Sequence, residues 1–256
     1  MIDEPLSQGA SLVHRRDPRF RLIACLLLSL AAALAVGPAA PLLVLGAGLV
    51  LTLLARLPPG LVLRRFVAVN AFVAFLWLAL PLTTPGTPVT ASFHGLAATR
   101  EGVVLATLIT LKANAVFFCV LSLLATIPAP ALGGAMRAVG VPDKFAFLFL
   151  FTYRYLHVIS DEYGRLATAA RLRGFVPATS THAYRTYAAL VAMVLVRAYD
   201  RSRRVYQAMV LRGFAGRFVS LDGFAADRGD VAFLIVALAV AVAGGALEIV
   251  SWRGHV

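Results

Sequence analysis

Long apolar runs, parted by short breaks of glycine, proline or arginine, constrain this 256-residue chain more than any other feature. Hydrophobic residues make up 60% of the sequence and charged residues only 14%, which leaves too little polar surface for a water-soluble fold of this size. Since about 20 apolar residues cross a bilayer, such runs indicate transmembrane helices. We therefore predict an all-α integral membrane protein with about five spans, at residues 22–36, 41–55, 66–82, 103–127 and 231–250.

The first two runs are short and are separated by Gly37-Pro38. A single helix through both would rise roughly 50 Å, far more than the hydrocarbon core. We therefore predict a tight pair of short spans. The alternative is a cleaved signal peptide that ends in the small residues 35–39, but the second run follows at once and favours an uncleaved hairpin.

Positive charge is distributed unevenly along the chain. With the N-terminus in the cytoplasm, twenty-one of the 24 lysines and arginines fall in predicted cytoplasmic pieces, fourteen of them between Arg137 and Arg228. The exceptions are Lys112 within a span, and Arg100 and Arg253 outside. Such a bias predicts a cytoplasmic N-terminus and long segment. The net charge of +12 is therefore explained by the orientation of the chain in the membrane. No nucleic-acid partner is expected, because nucleic-acid-binding proteins do not contain apolar runs of bilayer length.

The segment between the fourth and fifth runs is predicted to be a cytoplasmic domain. It lacks the Ser/Gly/Pro bias of a linker, and residues 145–173 and 184–212 are predicted to form long helices. A glycine follows each of them, as is typical of a helix C-terminal cap. The chain is therefore predicted to contain a four-span bundle, a domain of long helices and a final span, at residues 1–127, 128–230 and 231–256.

The two predicted long helices end alike. A shift of 39 residues aligns Asp161 with Asp200, Arg165 with Arg204, and the run Leu-Arg-Gly-Phe at 172–175 with the same run at 211–214. In each copy the aspartate and the first arginine are four residues apart, a spacing that predicts a helical ion pair worth a few tenths of a kcal/mol. The second arginine lies in the last predicted turn, where it could simply complement the macrodipole or reach lipid headgroups.

Duplication of this helix end favours a second explanation. Two similar ends suit a partner that itself comes in two copies, and an arginine fork keeps its charge when it enters an acidic or carbonyl-lined groove. The residues predicted to dock are Arg171, Leu172, Arg173 and Gly174 at the first end, and Leu211, Arg212 and Gly213 at the second.

Lys112, Asn114 and Asn70 are polar residues within predicted spans. An ionisable group at that depth is a functional hypothesis by default. Lys112 is expected to bond Asn70 or a backbone carbonyl. In an alternative function, an autonomous channel or secondary carrier, these three residues would line the path.

Several chemistries lack the residues that they require. The two lysines, Lys112 and Lys144, do not follow glycine, so no phosphate-binding loop and no ATP hydrolysis are expected. A membrane enzyme acting on lipid phosphates would need aspartate clusters for magnesium, which are missing. No cofactor or metal site is predicted in this chain, because its two cysteines lie in apolar runs and its histidines are scattered, at Cys25 and Cys119, and at His14, His94, His157, His182 and His255.

These features resemble the transmembrane coupling subunits, or T components, of energy-coupling-factor transporters, and most closely the CbiQ type of cobalt uptake systems. The likeness rests on the run SLVHRRDPR at 11–19, on VPDK at 141–144 with the residues at 153–155 and 161–162, and on the two Arg-Gly helix ends. These ends look like the paired Ala-Arg-Gly motifs of the family. Leu172 and Leu211 replace the alanine, so only the Arg-Gly part carries over.

The resemblance implies a non-catalytic subunit of an importer in the bacterial inner membrane. Arg173 and Arg212 would dock into two nucleotide-binding ATPase subunits, which bind ATP and magnesium. The long helices would then transmit the ATPase motion to a separate substrate-binding membrane subunit, with a small accessory membrane subunit as a further partner. Cobalt is the implied cargo, with nickel or a vitamin as alternatives, and nothing in this chain selects among them.

Overall fold

A computed structural model of the protein describes residues 6–7, 9, 11–87, 99–214 and 227–253, with side chains described up to residue 248. The secondary-structure elements in these ranges are helices, with no strand. The helices are α1 (Pro18–Leu34), α2 (Ala39–Leu54), α3 (Pro59–Thr83), α4 (Arg100–Cys119) continued by a π-helical turn (Val120–Leu124), α5 (Ala129–Ala138), α6 (Asp143–Leu172), α7 (Thr181–Leu211) and α8 (Arg228–Arg253).

The prediction of an all-α membrane protein is confirmed. Among the described residues, α3, α4 with its π-helical turn, and α8 are long and apolar enough to cross a bilayer. The first two predicted spans correspond to α1 and α2, which have 17 and 16 residues and are shorter than a usual crossing.

The short helix α5 was not predicted from the sequence. Pro128 and Pro130 were interpreted only as breakers at the end of the fourth span. Pro130 lies in the first turn of α5, where its missing N–H is no loss because the first amides of a helix have no intrahelical partner. The described part of the long segment therefore contains α5 in addition to the two predicted helices, α6 and α7.

Helix contacts divide the chain into two compact units. The membrane unit contains α1 to α4, the π-helical turn and α8. The long-helix unit contains α6 and α7, and the division along the chain falls within α5.

Small residues let the helices of the membrane unit approach closely. A Cβ atom on Gly48 of α2 would lie 3.0 Å from Cβ of Phe118 and 3.3 Å from the backbone nitrogen of Cys119. Close contact through small residues is the usual way in which membrane helices gain packing energy. Cys25 and Cys119 are buried and free, which confirms that they act as small hydrophobic residues.

A buried arginine joins α1 to the end of α4. Arg21 is only 1% exposed, and its guanidinium donates to the carbonyl of Leu123 at 3.1 Å and to the hydroxyl of Thr126. These acceptors lie at the carboxyl end of the π-helical turn, where the helix dipole is negative and stabilises a cation. From the sequence alone, Arg21 is only one of the predicted cytoplasmic charges.

Candidate functional site

α6 ends in a Schellman motif. The amide of Gly174 donates to the carbonyl of Arg171 at 3.0 Å, and the amide of Phe175 donates to that of Ala170 at 3.1 Å. Gly174 has φ +85°, the left-handed conformation that this motif requires. The predicted glycine cap is therefore confirmed.

α7 ends in the same motif. The amide of Gly213 donates to the carbonyl of Val210, and that of Phe214 to the carbonyl of Met209, both at 3.0 Å, while Gly213 has φ +83°. Each helix starts slightly before its predicted bound and ends one residue earlier. Arg173 and Arg212 consequently occupy the C-cap position and not the last turn.

The two helix ends expose the same residues in the same order. Leu172 and Leu211 are 85% and 88% exposed, and the arginine and glycine that follow each leucine are exposed too. Among the described residues, no carboxylate forms an ion pair with Arg173 or Arg212. Each end thus offers an exposed apolar side chain beside an unpaired guanidinium.

The phenylalanine that follows each Arg-Gly pair folds back onto the long-helix unit. The ring of Phe175 meets that of Tyr187 in α7 edge to face, with centroids 5.3 Å apart. Phe214 lines an apolar groove of about 630 Å³ between α6 and α7, together with Phe151, Tyr155 and Met209. These half-buried rings fix the backbone just beyond each exposed arginine.

Glu162 links the two long helices. Its carboxylate accepts a hydrogen bond from Arg165, on the same helix, at 2.5 Å, and another from Arg197 of α7. The hydrogen bonds from Arg197 and then Arg165 lower the pKa of Glu162 below its ordinary value. The carboxylate therefore stays charged at neutral pH and bridges α6 to α7.

The predicted ion pairs are wrong in both copies. Arg165 bonds Glu162 instead of Asp161, because Glu162 lies on the buried face and needs compensation, whereas Asp161 is exposed to solvent. Asp200 and Arg204 are both exposed and form no ion pair with each other. The three-residue spacing of Glu162 and Arg165 is a sequence signal for their intrahelical pair. No local signal indicates Arg197, because it lies on the other helix.

The polar residues of the membrane unit form two separate sets of bonds. The side-chain amides of Asn70 and Asn114 donate to each other at 2.9 and 3.1 Å, which joins α3 to α4. Nζ of Lys112 donates to the carbonyl of Ala33 in α1 at 3.0 Å. Of the two partners predicted for Lys112, Asn70 and a backbone carbonyl, the structure shows the backbone carbonyl. The three residues do not bond to one another as a single polar path.

No group of three metal-ligating side chains occurs in the part of the chain that the structure describes. His94 and His255 lie outside the described residues. The lack of a metal site in this chain therefore stays a prediction.

Apolar helices long enough to cross a bilayer, together with two long helices that end alike, define the class as an all-α integral membrane protein. The chain belongs to the CbiQ family of cobalt transport proteins, whose family model matches residues 9–221. The predicted family resemblance is thereby confirmed.

The chain is similar to three transport proteins from bacteria. The chain is 32% identical over 148 residues to the cobalt transport protein CbiQ of Rhodobacter capsulatus. The aligned region covers 58% of this chain and 60% of that protein. It is 27% identical over 176 residues to the energy-coupling factor transporter transmembrane protein EcfT of Acidaminococcus fermentans, with 65% of each covered. It is 28% identical over 228 residues to the nickel permease LarQ of Lactiplantibacillus plantarum, covering 87% of this chain and 75% of that protein.

Proposed function

We propose that this chain is the transmembrane coupling subunit of an ATP-driven, energy-coupling-factor type importer in the bacterial inner membrane. In this role it carries no catalytic residue and binds no cofactor. ATP and magnesium are bound by two partner ATPase subunits, and the substrate is bound by a separate membrane subunit. The segment 128–230 is the coupling domain and, like the N-terminus, faces the cytoplasm.

The matching ends of α6 and α7 carry this proposal. Each presents an unpaired arginine at a rigid C-cap, flanked by an exposed leucine and a half-buried phenylalanine. A guanidinium that docks into a partner's groove can bind carbonyls or carboxylates through several donors at once. Two equivalent ends fit a pair of similar ATPase subunits, one end to each.

The bridge through Glu162 supports the transmission of force. A ligand can shift a conformational equilibrium only if its contacts differ between the states. Closure of an ATPase pair would move the docked ends, and the charged bridge from Glu162 to Arg197 makes the two helices respond together. Glu162 is therefore a positioning residue in the proposed mechanism.

The apolar groove between α6 and α7 supports contact with the substrate-binding membrane subunit. Its walls are mostly aromatic and aliphatic, and include Phe147, Phe151 and Val194. A protein surface of this composition is suited to apolar helices of a membrane partner. A small accessory membrane subunit is a further partner implied by the family.

Cobalt is the proposed cargo, on the strength of the family and of the relative from Rhodobacter capsulatus. The nickel permease relative makes nickel the principal alternative. A vitamin stays a further alternative that the family resemblance implies. In this proposal, the choice among them belongs to the substrate-binding subunit.

Co-purification tests the docking of the helix ends. With the tagged chain as bait, two ATPase subunits per chain should be recovered from cells of the source organism. Arg173→Ala or Arg212→Ala should each weaken their recovery, and the double variant should abolish it. Arg185→Ala is the matched control, because Arg185 is an exposed arginine near the amino end of α7, opposite to the end that carries Arg212.

Recovery of the ATPase subunits by the double variant at the wild-type level would contradict the proposal. A chain that purifies alone and still carries metal into vesicles without ATP would favour the autonomous carrier instead. In that case Lys112→Met should abolish transport, which the coupling role does not predict.

A further inference from the structure

The connection between α1 and α2 is held by side chains from two other helices of the membrane unit. Lys112 of α4 donates to the carbonyl of Ala33, in the last turn of α1, at 3.0 Å. The carboxylate of Glu248, on α8, accepts from the amide of Val36 and, at 2.8 Å, from that of Gly37. The ammonium of Lys112 and the carboxylate of Glu248 thus both form hydrogen bonds with backbone groups of the same turn.

These charges are placed on the favourable ends of the two short helices. The ammonium of Lys112 lies at the carboxyl end of α1, where the macrodipole is negative, and Glu248 lies before the amino end of α2, where it is positive. Pro38 and Pro41 have no N–H, so the sequence also removes two donors that the start of α2 would leave without a partner. The turn therefore has few backbone groups that need water.

The helix lengths show that α4 extends well past this turn toward its own amino end at Arg100. At the opposite end of α1, Arg21 contacts Leu123 and Thr126, so α1 is level there with the carboxyl end of the π-helical turn. From Lys112 back to Arg100, α4 continues for about 18 Å beyond the α1–α2 turn. The whole segment Arg100–Leu124 rises roughly 37 Å, about 7 Å more than a hydrocarbon core of about 30 Å. Even if all of that excess projects at the Arg100 end, the turn lies about 10 Å inside the core.

α8 passes close to the start of α2 and brings Glu248 to the turn. A Cβ atom on Gly244 would lie 3.1 Å from Cβ of Ala40, so this approach depends on a glycine. Glu248 is one helical turn further along α8 and therefore faces the same way. The position of Glu248 is thus fixed by packing between α8 and α2.

We propose that the α1–α2 turn lies within the hydrocarbon layer, and that Lys112 and Glu248 cap its backbone there. Irregular backbone at membrane depth is tolerated only where its polar groups are satisfied. Water at a turn that reached the aqueous phase would make both charged caps unnecessary. Lys112 is accordingly a structural cap and not part of a transport path. This inference stands independently of the ATPase partners.

Spin labels measure the depth of the turn directly. Val36 is 78% exposed and Leu34 is exposed, so each can be changed to cysteine and labelled, in a chain that carries Cys25→Ala and Cys119→Ala. Collision rates with oxygen and with a water-soluble nickel chelate are then measured in phosphatidylcholine liposomes. References are Phe72→Cys, exposed within α3, and Pro85→Cys, exposed just beyond the end of α3.

The expected oxygen-to-nickel ratio at residues 34 and 36 lies well above the ratio at residue 85 and approaches the ratio at residue 72, which is at the middle of α3. A ratio like that at residue 85 would overturn the proposal, since it would place the turn in water. The test uses the ratio of the two collision rates instead of either rate alone. If a second copy of the chain partly shields a label, both rates fall together and the ratio still reports the depth of the label.

Variants at the two caps test the second half of the proposal. Glu248→Leu leaves two amides unsatisfied and should lower the melting temperature in detergent by roughly 5 °C. Glu248→Gln keeps an acceptor oxygen and should lose less than half as much. Lys112→Met should also lower the melting temperature, yet leave metal uptake by cells measurable. Unchanged melting for Glu248→Leu, or uptake abolished by Lys112→Met with unchanged melting, would refute the capping roles.

Discussion

Arg173 and Arg212 owe their fixed positions to the glycine that follows each of them. With φ +85° and +83°, Gly174 and Gly213 reverse the chain and let the next amide close the Schellman motif. No other atom lies within 4 Å of a Cβ built on either glycine, so an alanine there is strained by the backbone alone and not by crowding. The free-energy cost of an alanine at either position is therefore purely conformational.

Gly174→Ala and Gly213→Ala should each destabilise the local cap by about 1 kcal/mol, because an L-residue resists the left-handed conformation. Hydrogen exchange at the amides of Phe175 and Phe214 should speed up accordingly. The control is Gly164→Ala in the middle of α6, where the backbone is helical and the space is open; it should stabilise the helix by a similar amount. Equal effects at residues 164 and 174 would contradict the strained-cap explanation.

Glu162 makes the long-helix unit sensitive to acid. The hydrogen bonds from Arg197 and Arg165 lower the pKa of Glu162 in the folded protein, so the carboxylate adds stability above its unfolded pKa, and this stability is lost as the pH falls through the lower folded value. The wild-type melting temperature should therefore decline below about pH 4. The decline should be smaller in Glu162→Gln, and identical pH profiles of the two proteins would show that the carboxylate is not bonded as described.

At the scale of helices, the structure contains contacts that join segments far apart in the chain. Glu162 and Arg197 connect α6 to α7, and Gly48 lets α2 approach α4. Local periodicity predicts helices and their caps, since both depend on neighbouring residues. It does not predict which carboxylate finds which arginine across two helices, and this explains why Asp161 was preferred to Glu162 in the sequence analysis.

The bridge between α6 and α7 should matter for coupling more than the intrahelical pair. Glu162→Gln and Arg197→Gln should each lower the number of ions carried per ATP hydrolysed, and the double variant should be no worse than either, because both remove one interaction. Arg165→Gln is the control on the same carboxylate and should have a smaller effect. Additive losses in the double variant would mean that the two residues act separately.

Gly48 should be intolerant of even a methyl group. In Gly48→Ala the new Cβ would press on Phe118 and the backbone of Cys119, and the expected destabilisation is about 1–3 kcal/mol. Gly46→Ala, on the same helix with no atom within 4 Å, should be neutral or stabilising. Thermal unfolding in detergent distinguishes the two, and equal melting temperatures would contradict the observed packing of α2 on α4.

At the scale of the whole molecule, apolar runs sufficed to predict an all-α membrane protein, and repeated residues sufficed to locate the two helix ends. Helix α5 was not predicted, because the prolines at its start are usually helix breakers. The π-helical turn was not predicted, because it differs from an α-helix only in its hydrogen bonds. For Lys112 the sequence predicted a backbone carbonyl as one possible partner but not that it belongs to α1, and the cap by Glu248 was not predicted, since these side chains come from α4 and α8. Such contacts depend on tertiary packing.

The central claim is that two equivalent arginine-bearing ends couple this chain to a pair of ATPase subunits. ATP-driven uptake of radioactive cobalt into proteoliposomes that contain the assembled transporter tests it most directly. Arg173→Ala with Arg212→Ala should abolish uptake while the isolated ATPase subunits still hydrolyse ATP, and Arg185→Ala should transport normally. Uptake by the double variant at the wild-type rate, or wild-type uptake without ATP, would contradict the account.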